Sequence, residues 1–179
     1  MDRSPVVSFL FLALALSSVS LLSATTVESR TGGELIENAS LIAIGNCTAV
    51  ASEWWQGALA TRYSIAISET LKGEASNEIN LYIPGGIDLD REVPIAVTVP
   101  GAPILLPNEE VLLFLDPLED GPAGYSVVGF SQGLFHIRRE DSGAGYLQQG
   151  LENPLGTTLE QARRDILQHL GQTAQGGKS

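Results

Sequence analysis

The amino-acid sequence predicts a mainly β protein: a small OB-like β-barrel of antiparallel strands with one C-terminal α-helix. From residue 41 onwards, apolar and polar residues alternate over most of the chain, which is the pattern of half-buried strands. Glycine, proline and asparagine interrupt this alternation about every 8 to 12 residues, a spacing typical of all-β barrels and sandwiches. Helical spacing of apolar residues over a long segment is confined to the region near the carboxyl end.

About eight strands are predicted, each bounded by turn-forming residues. They are Leu41–Val50 and the segments 61–73, 77–86, 93–101, 109–117, 124–130, 133–139 and 146–150. Alternation gives the second and the fourth strand one apolar face each, formed by Tyr63, Ile65, Ile67 and Leu71 and by Val93, Ile95, Val97 and Val99. The segment 109–117 is apolar almost without interruption, which indicates a strand buried on both faces. Pro84, Gly85 and Gly86 are expected to form a turn.

Two helical segments are predicted. A short helical turn covers Glu34–Ala39, before the first strand. The C-terminal helix covers residues 158–170, with Thr157 or Thr158 as its cap and Gly171 as its end. Its apolar stripe consists of Leu159, Ala162, Ile166 and Leu170. A single domain therefore spans residues 34–171, and the polar, glycine-rich tail 172–179 is expected to be disordered.

The amino-terminal residues have the order of a secretory signal peptide, predicted to span residues 1–24. A short head containing Arg3 is followed by the apolar run Val6–Leu16 and then by small residues up to Ala24. The alternative is an uncleaved membrane anchor, because Val6–Leu22 is close to the ~17-residue lower limit of a bilayer span. Cleavage is favoured because four serines interrupt that stretch. The mature protein is then expected to be secreted or periplasmic, with no membrane contact.

The protein is acidic, with a formal net charge of -11 at pH 7. Such a charge repels phosphate backbones, and the sequence has no basic face with interleaved aromatic residues, so nucleic acid is not an expected partner. Solubility and a weak attraction for cations are the properties that the charge supports by itself. With one cysteine the chain cannot form an internal disulfide, so its core alone must stabilise it.

That cysteine, Cys47, is predicted to be part of the core. Alternation along the first strand places it on one face with small apolar residues, namely Leu41, Ala43, Gly45 and Ala49. A thiol in such surroundings behaves as a small hydrophobic group. No lysine, arginine or histidine stands beside Cys47 in the sequence to lower its pKa, as a nucleophilic thiol requires.

Five segments together resemble a group of short exported bacterial β-barrel proteins of uncharacterised function. The segments are ASLIAIGNCTAV, YSIAISETLKG, INLYIPGG, GAPILLPNEEVLLFLDP and VVGFSQGLFHI. More loosely, this order is similar to netrin-module and metalloproteinase-inhibitor domains. The resemblance covers residues 34–138 and implies a five-stranded barrel of the OB type. It also implies a protein partner linked to extracellular proteolysis, although the amino-terminal cysteine and the disulfides of the inhibitor domains have no counterpart here.

Ser131 is the one candidate nucleophile. Residues 129–133 match the G-x-S-x-G pattern of the esterase nucleophile elbow, in which a strand, a tight turn and a helix expose the serine. The segment that follows Ser131 alternates like a strand, however, and His136 is only five residues away. A β-turn with glycines at both ends is therefore the favoured interpretation, and serine hydrolysis at Ser131 is the alternative.

Asp88 and Asp90 are the candidate metal ligands. Spaced two residues apart after a glycine turn, they are expected to share a strand face, where their carboxylates could hold calcium. The further ligands of an EF-hand loop are absent from the sequence, so a solvated acidic loop is favoured. No zinc motif and no cofactor motif is present, and no cofactor is expected.

Trp54 and Trp55 are the candidate partner contacts. They are expected to lie beyond the first strand, in a connection closed by Gly57, with one ring packed and the other exposed. The favoured function is accordingly an exported, non-enzymatic β-barrel module that binds a protein, with an extracellular protease as one candidate. Two alternatives remain: the serine hydrolase with Ser131, and an acidic structural or cation-binding envelope protein.

Overall fold

The computed structural model describes residues 30–121, 123–149 and 153–176. The predicted signal peptide, residues 1–24, lies outside these ranges. Within them the chain is mainly β, with one long helix at the carboxyl end, as the sequence predicts. No helix in the described ranges combines the length and the apolar character needed to cross a bilayer.

Two helices and ten strands make up the described chain. The helices are α1, Gly32–Asn38, and α2, Leu159–Gly176. The longer strands are β1 Leu41–Trp55, β2 Ala58–Lys72, β3 Glu78–Pro84, β6 Glu110–Pro117, β8 Leu134–Arg139, β9 Gly145–Gln149 and β10 Asn153–Thr158. The short strands are β4 Gly86–Asp88, β5 Ile95–Val97 and β7 Tyr125–Val127.

Five of the strands close into a barrel. The ring of pairings runs from β1 to β2, β3, β7, β6 and back to β1. The contact between β3 and β7 is parallel, and the other four are antiparallel. Where the strands pair around the ring their edges are covered, which limits uncontrolled strand pairing, whereas the outer half of β1 extends beyond its pairing with β6. The prediction of a small OB-like barrel is confirmed.

Strand β6 also continues the same eight-stranded sheet beyond the barrel. Its residues 115–117 pair with β7, whereas its residues 111–113 pair with β8. Strands β9 and β10 then extend the sheet beyond the barrel, and α2 packs against it. Because β6 lies in both parts, its two faces contribute to two hydrophobic cores.

The alternation of β6 explains its uninterrupted apolar run. Val111, Leu113 and Leu115 point into the barrel core, while Leu112 and Phe114 point into a second core beneath the helices. The second core is closed by α1 and α2 through buried residues, which are Leu35, Ile36, Leu159 and Ile166. The prediction that this strand is buried on both faces is confirmed.

The first strand is longer than predicted. Trp54 and Trp55 are the last two residues of β1, so the expectation that they lie in a connection beyond the strand is wrong. Gln56 and Gly57 form the turn into β2, with φ values of 48° and 79°. Positive φ at both central residues is the geometry of a two-residue hairpin turn whose twist matches its strands. The outer half of β1 was not predicted from the sequence, because its residues are mostly exposed and show no apolar alternation.

Three details of the predicted strands and turns were wrong. In the segment 93–101 only Ile95–Val97 is a strand, and it pairs with β4 outside the barrel, where Val93 is 73% exposed instead of facing the core. The predicted turn of Pro84, Gly85 and Gly86 is shorter than expected. Pro84 ends β3 and Gly86 begins β4, so only Gly85 lies between the two strands. Leu71 packs against the second core, not with Tyr63, because it is the extra residue where β2 bulges opposite Ile42 and Ala43.

The C-terminal helix begins as predicted and ends later. Thr158 is its cap, since Thr158 Oγ1 accepts a hydrogen bond of 3.1 Å from the backbone N–H of Gln161. The helix continues through Gly171 to Gly176, so the predicted end at Gly171 is wrong. Residues 172–176 of the predicted disordered tail are therefore helical, and residues 177–179 lie outside the described ranges. A glycine inside a helix lowers the stability of that helix by about 1 kcal/mol relative to alanine, so a single glycine such as Gly171 does not have to end it. The amino-terminal helix α1 begins two residues before the predicted Glu34, at Gly32, after a capping box between Thr31 and Glu34.

Candidate functional site

The outer half of the β1–β2 hairpin projects beyond the barrel and forms one wall of a groove. The groove has a volume of about 380 Å³. Its other walls are the end of β3, the β4–β5 hairpin and the segment 98–105. None of the described residues that line it is charged. A concave, largely apolar surface of this size is typical of a binding site.

Strand β4 is held across the hairpin by two hydroxyl groups. Ser52 Oγ accepts a hydrogen bond of 3.0 Å from the backbone N–H of Ile87, and Thr61 Oγ1 donates one of 2.8 Å to the carbonyl of Gly85. A Cβ on Gly86 would lie 2.6 Å from Ser52 Oγ, so only glycine lets the strand approach this closely. The floor of the groove is therefore rigidly attached to β1 and β2.

Trp54, Asp88 and Arg91 form a polar cluster beside the groove. The indole Nε1 of Trp54 donates a hydrogen bond of 2.5 Å to Asp88 Oδ2, and Arg91 Nε donates one of 2.9 Å to the same oxygen. The guanidinium carbon of Arg91 lies 4.4 Å from the centroid of the Trp54 ring, which is a cation–π contact. The hydrogen bond from Trp54, followed by that from Arg91, lowers the pKa of Asp88. The exposed indole is thus oriented before any partner binds.

The same cluster bears on the calcium interpretation of Asp88 and Asp90. Asp88 ends β4 and Asp90 lies beyond it, so the expectation that the two carboxylates share a strand face is wrong. Asp88 Oδ1 accepts a hydrogen bond of 3.1 Å from the backbone N–H of Asp90, and Oδ2 is occupied by Trp54 and Arg91. Within the described ranges no group of three or more carboxylate, histidine or cysteine side chains could hold a metal ion.

Trp55 has different surroundings from Trp54. Neighbouring residues of a strand point to opposite faces, so Trp55 lies on the outer surface of the hairpin. It is half-buried, and a Cβ on Gly121 would lie 3.3 Å from its Cζ2. The adjacent Gln56 donates a hydrogen bond of 3.1 Å to the carbonyl of Asp120. Trp55 therefore helps to fix the hairpin against the turn after β6, whereas Trp54 is 41% exposed.

The groove lies within a wider apolar patch. Among the described residues, large hydrophobic side chains that are exposed occur almost entirely in β1 and in the segment 87–106. We call these residues the apolar patch: Val50, Trp54, Ile87, Leu89, Val93, Val97, Ile104 and Leu106. The other exposed residue of this kind is Leu167, on α2. Of the residues in the patch, only Trp54 was predicted from the sequence as a candidate contact residue. The others were missed, chiefly because the alternation in segment 93–101 is typical of a core strand.

Ser131 lies in the tight turn between β7 and β8. Gly129 and Phe130 both have positive φ, 66° and 67°, and the Ser131 N–H donates a hydrogen bond of 2.9 Å to the Gly129 carbonyl. Strand β8 follows this turn, as predicted, so the strand–turn–helix arrangement of a nucleophile elbow is not formed. The two histidines contact carboxylates instead, His136 with Glu109 and His169 with Glu37.

The barrel core contains the thiol and lies next to a buried imidazole. Cys47 is fully buried, as predicted, and burial, reinforced by Glu109, raises its pKa. His136 Nδ1 lies 3.4 Å from Glu109 Oε2, but their alignment makes no hydrogen bond. Burial lowers the pKa of His136 even though Glu109 opposes this effect. Both groups are therefore neutral at pH 7.

No protein-family model matches the chain, and a search of curated proteins finds no match either.

Proposed function

We propose that this protein is an exported, non-enzymatic β-barrel module that binds a protein partner through the apolar patch. The observation that carries the proposal is the uncharged groove of about 380 Å³ next to an exposed tryptophan that Asp88 and Arg91 hold in place. Exposed apolar side chains concentrated in one part of a small domain are characteristic of interaction sites. The export prediction for residues 1–24 supports an extracellular or periplasmic setting.

A protein fits this surface better than a small ligand does. The patch continues outside the groove, where Leu89 and Val93 are 71% and 73% exposed. A ligand confined to the groove would leave those side chains in water, whereas a protein surface would cover them. Trp54 has the properties of an interface anchor, because its ring brings a large contact area and is already oriented.

The class of the partner is proposed from the resemblance and the charge. The similarity to metalloproteinase-inhibitor domains makes an extracellular protease the first class to test. The net charge of -11 favours a partner with a basic rim around its contact surface. It also argues against nucleic acid as the ligand.

The test is capture of the partner from native medium or periplasm with matched variants as bait. Trp54→Ala should weaken capture by about tenfold or more, the effect of losing an interface anchor. Leu167→Ala removes an exposed leucine outside the patch and should leave capture unchanged. If Trp54→Ala retains full capture, or both variants lose it equally, the proposal is wrong. Amino-terminal sequencing of the exported protein tests removal of the signal peptide.

A further inference from the structure

We propose that the partner binds as an extended peptide segment that pairs with the open outer edge of β1. This inference rests on the proposed function, because it assigns the binding mode and the chemistry of the partner at the same surface. The segment would carry apolar side chains at alternate positions and basic side chains between them. Its apolar side chains would enter the groove while its backbone extends the sheet.

The outer edge of β1 changes from covered to open along the strand. Its residues Leu41–Asn46 pair with β6 on this edge. At Cys47 the edge is still covered, since its N–H donates to the Glu109 carbonyl at 2.9 Å and its carbonyl accepts from the Asn108 N–H at 2.7 Å. A register shift follows between Cys47 and Ala49, and from Ala49 to Trp55 no described strand pairs with this edge.

The pairing with β2 shows which backbone groups point outwards. Trp55 and Ala58 flank the two-residue turn, so they form a hydrogen-bonded pair, and such pairs alternate along an antiparallel hairpin. Trp54 is opposite Leu59, whose carbonyl accepts a hydrogen bond of 2.9 Å from the Gly85 N–H on the other side of β2. Trp54, Ser52 and Val50 therefore direct their backbone N–H and C=O groups to the open edge.

These groups are accessible to solvent and unused. Val50, Ser52 and Trp54 are all exposed, and within the described ranges their backbone groups make no hydrogen bond outside the β1–β2 ladder. An open edge of this length offers main-chain hydrogen bonds to an added strand, which is a recurrent way to recognise extended peptides. Closure of the ring at β6 leaves this segment of β1 available.

The two faces of β1 specify the side chains of the added strand. Val50, Ser52 and Trp54 share the face that borders the groove, so neighbouring peptide side chains on that face should be apolar. The opposite face carries Glu53, whose Oε2 is 3.2 Å from Arg62 Nε and whose side chain is still 37% exposed. A lysine or arginine beside Glu53 would complement it, and the net charge of -11 favours the same choice.

The experiment uses a defined probe: a short synthetic peptide of alternating valine and lysine. It should bind the full chain and slow hydrogen–deuterium exchange at the amides of Val50, Ser52 and Trp54. A peptide of the same composition with its valines and lysines in separate blocks, and an alternating peptide N-methylated at its lysines or at its valines, are the controls. One of the two N-methylated forms should bind at least about tenfold more weakly, a loss of 1.4 kcal/mol or more.

Two variants of the protein complete the test. Ser52→Pro removes the outward N–H, whereas Ser52→Ala keeps it and removes only the hydroxyl bond to Ile87. Binding of the alternating peptide should fall about tenfold or more with Ser52→Pro and persist with Ser52→Ala. The N-methylated peptides leave the protein unchanged, so the test stands even if Ser52→Pro does not fold.

Several results would overturn the inference. Equal binding of the block peptide would mean that charge alone attracts the probe, and protection elsewhere would place the site on another surface. Concentration-dependent protection of the same amides without peptide would assign the edge to a second copy of this chain. If native partner capture depends on Trp54 but not on the Ser52 N–H, strand pairing is wrong and the proposed function stands. Independence from Trp54 overturns the proposed function itself.

Discussion

The indole nitrogen of Trp54 donates a hydrogen bond of 2.5 Å to the carboxylate of Asp88, a residue 34 positions further along the chain. This contact joins the end of the long β1 strand to the end of the short β4 strand. Arg91 completes it by binding the same carboxylate oxygen and covering the indole face. Two residues that the sequence suggested for separate roles, a partner contact and a metal ligand, thus belong to one cluster.

Asp88→Asn should loosen the Trp54 side chain without unfolding the protein. The variant removes the charge that holds Arg91, and because Asp88 belongs to neither hydrophobic core, the cores are not affected. The fluorescence of Trp54, measured in a Trp55→Phe background, should shift towards that of a freely rotating indole. Asp90→Asn is the matched control, because Trp54 and Arg91 both contact Asp88. In the parent protein the midpoint of the fluorescence change with pH should lie below 3.8, because the pKa of Asp88 is lowered from that value. A midpoint above pH 3.8 would contradict this account.

Cys47→Ser should destabilise the protein by about 1–3 kcal/mol, because the Ala49 carbonyl that accepts from Cys47 Sγ lies 3.7 Å away, too far for the hydrogen bond that a buried hydroxyl needs. Cys47→Ala, which adds no polar group, should cost less. Equilibrium unfolding in urea measures both differences in the free energy of unfolding. In the native state Cys47 should react slowly with thiol reagents at neutral pH, since burial raises its pKa above 9.0 and blocks access. Rapid labelling of the folded protein would place the thiol at the surface.

The stability of the protein should decrease as the pH falls below 6.5, because of His136. Its pKa in the folded protein is lowered from 6.5 by burial, so the unfolded chain takes up the proton first. The stabilisation that neutral His136 provides is therefore complete above pH 6.5. It is lost as the pH falls from 6.5 to the lowered pKa, and over this window the free energy of unfolding decreases by at most ~1.4 kcal/mol per pH unit. His136→Gln should remove this slope from urea-unfolding curves measured across that window. An unchanged slope would mean that other groups cause it. Glu109 and Arg138 are the charged groups beside the ring.

Ser131→Ala should leave partner capture unchanged, and an active-site serine probe should not label the protein. The turn that contains Ser131 leads into β8, and the nearby His136 is in contact with Glu109. The hydroxyl therefore has neither the helix nor the base that would activate it. Mass spectrometry after incubation with a fluorophosphonate probe measures the outcome. Stoichiometric labelling at Ser131 would restore the hydrolase interpretation.

The sequence by itself determined the features that depend on local periodicity. The alternation of β3 and of most of β2, the double burial of β6 and a threonine cap for α2 all follow from residues close together in the chain. The structure then selects Thr158 over Thr157 as that cap. The buried position of Cys47 followed in the same way, because alternation along one strand decides which side chains face inwards. Such features can be predicted without knowing which strand or helix packs against the segment.

Only the tertiary structure decided where apolar segments go when no local rule distinguishes core from surface. The residues around Val93 alternate like a core strand, yet the ring closes between β6 and β1 without them, and they remain on the surface as part of the apolar patch. Trp54 and Trp55 belong to a strand because the turn at Gln56 and Gly57 lets β2 pair along its whole length. The contact between Trp54 and Asp88 depends on β4 crossing the hairpin. Such long-range placement is set by barrel closure and by competition for strand edges, which the pattern along a single segment does not record.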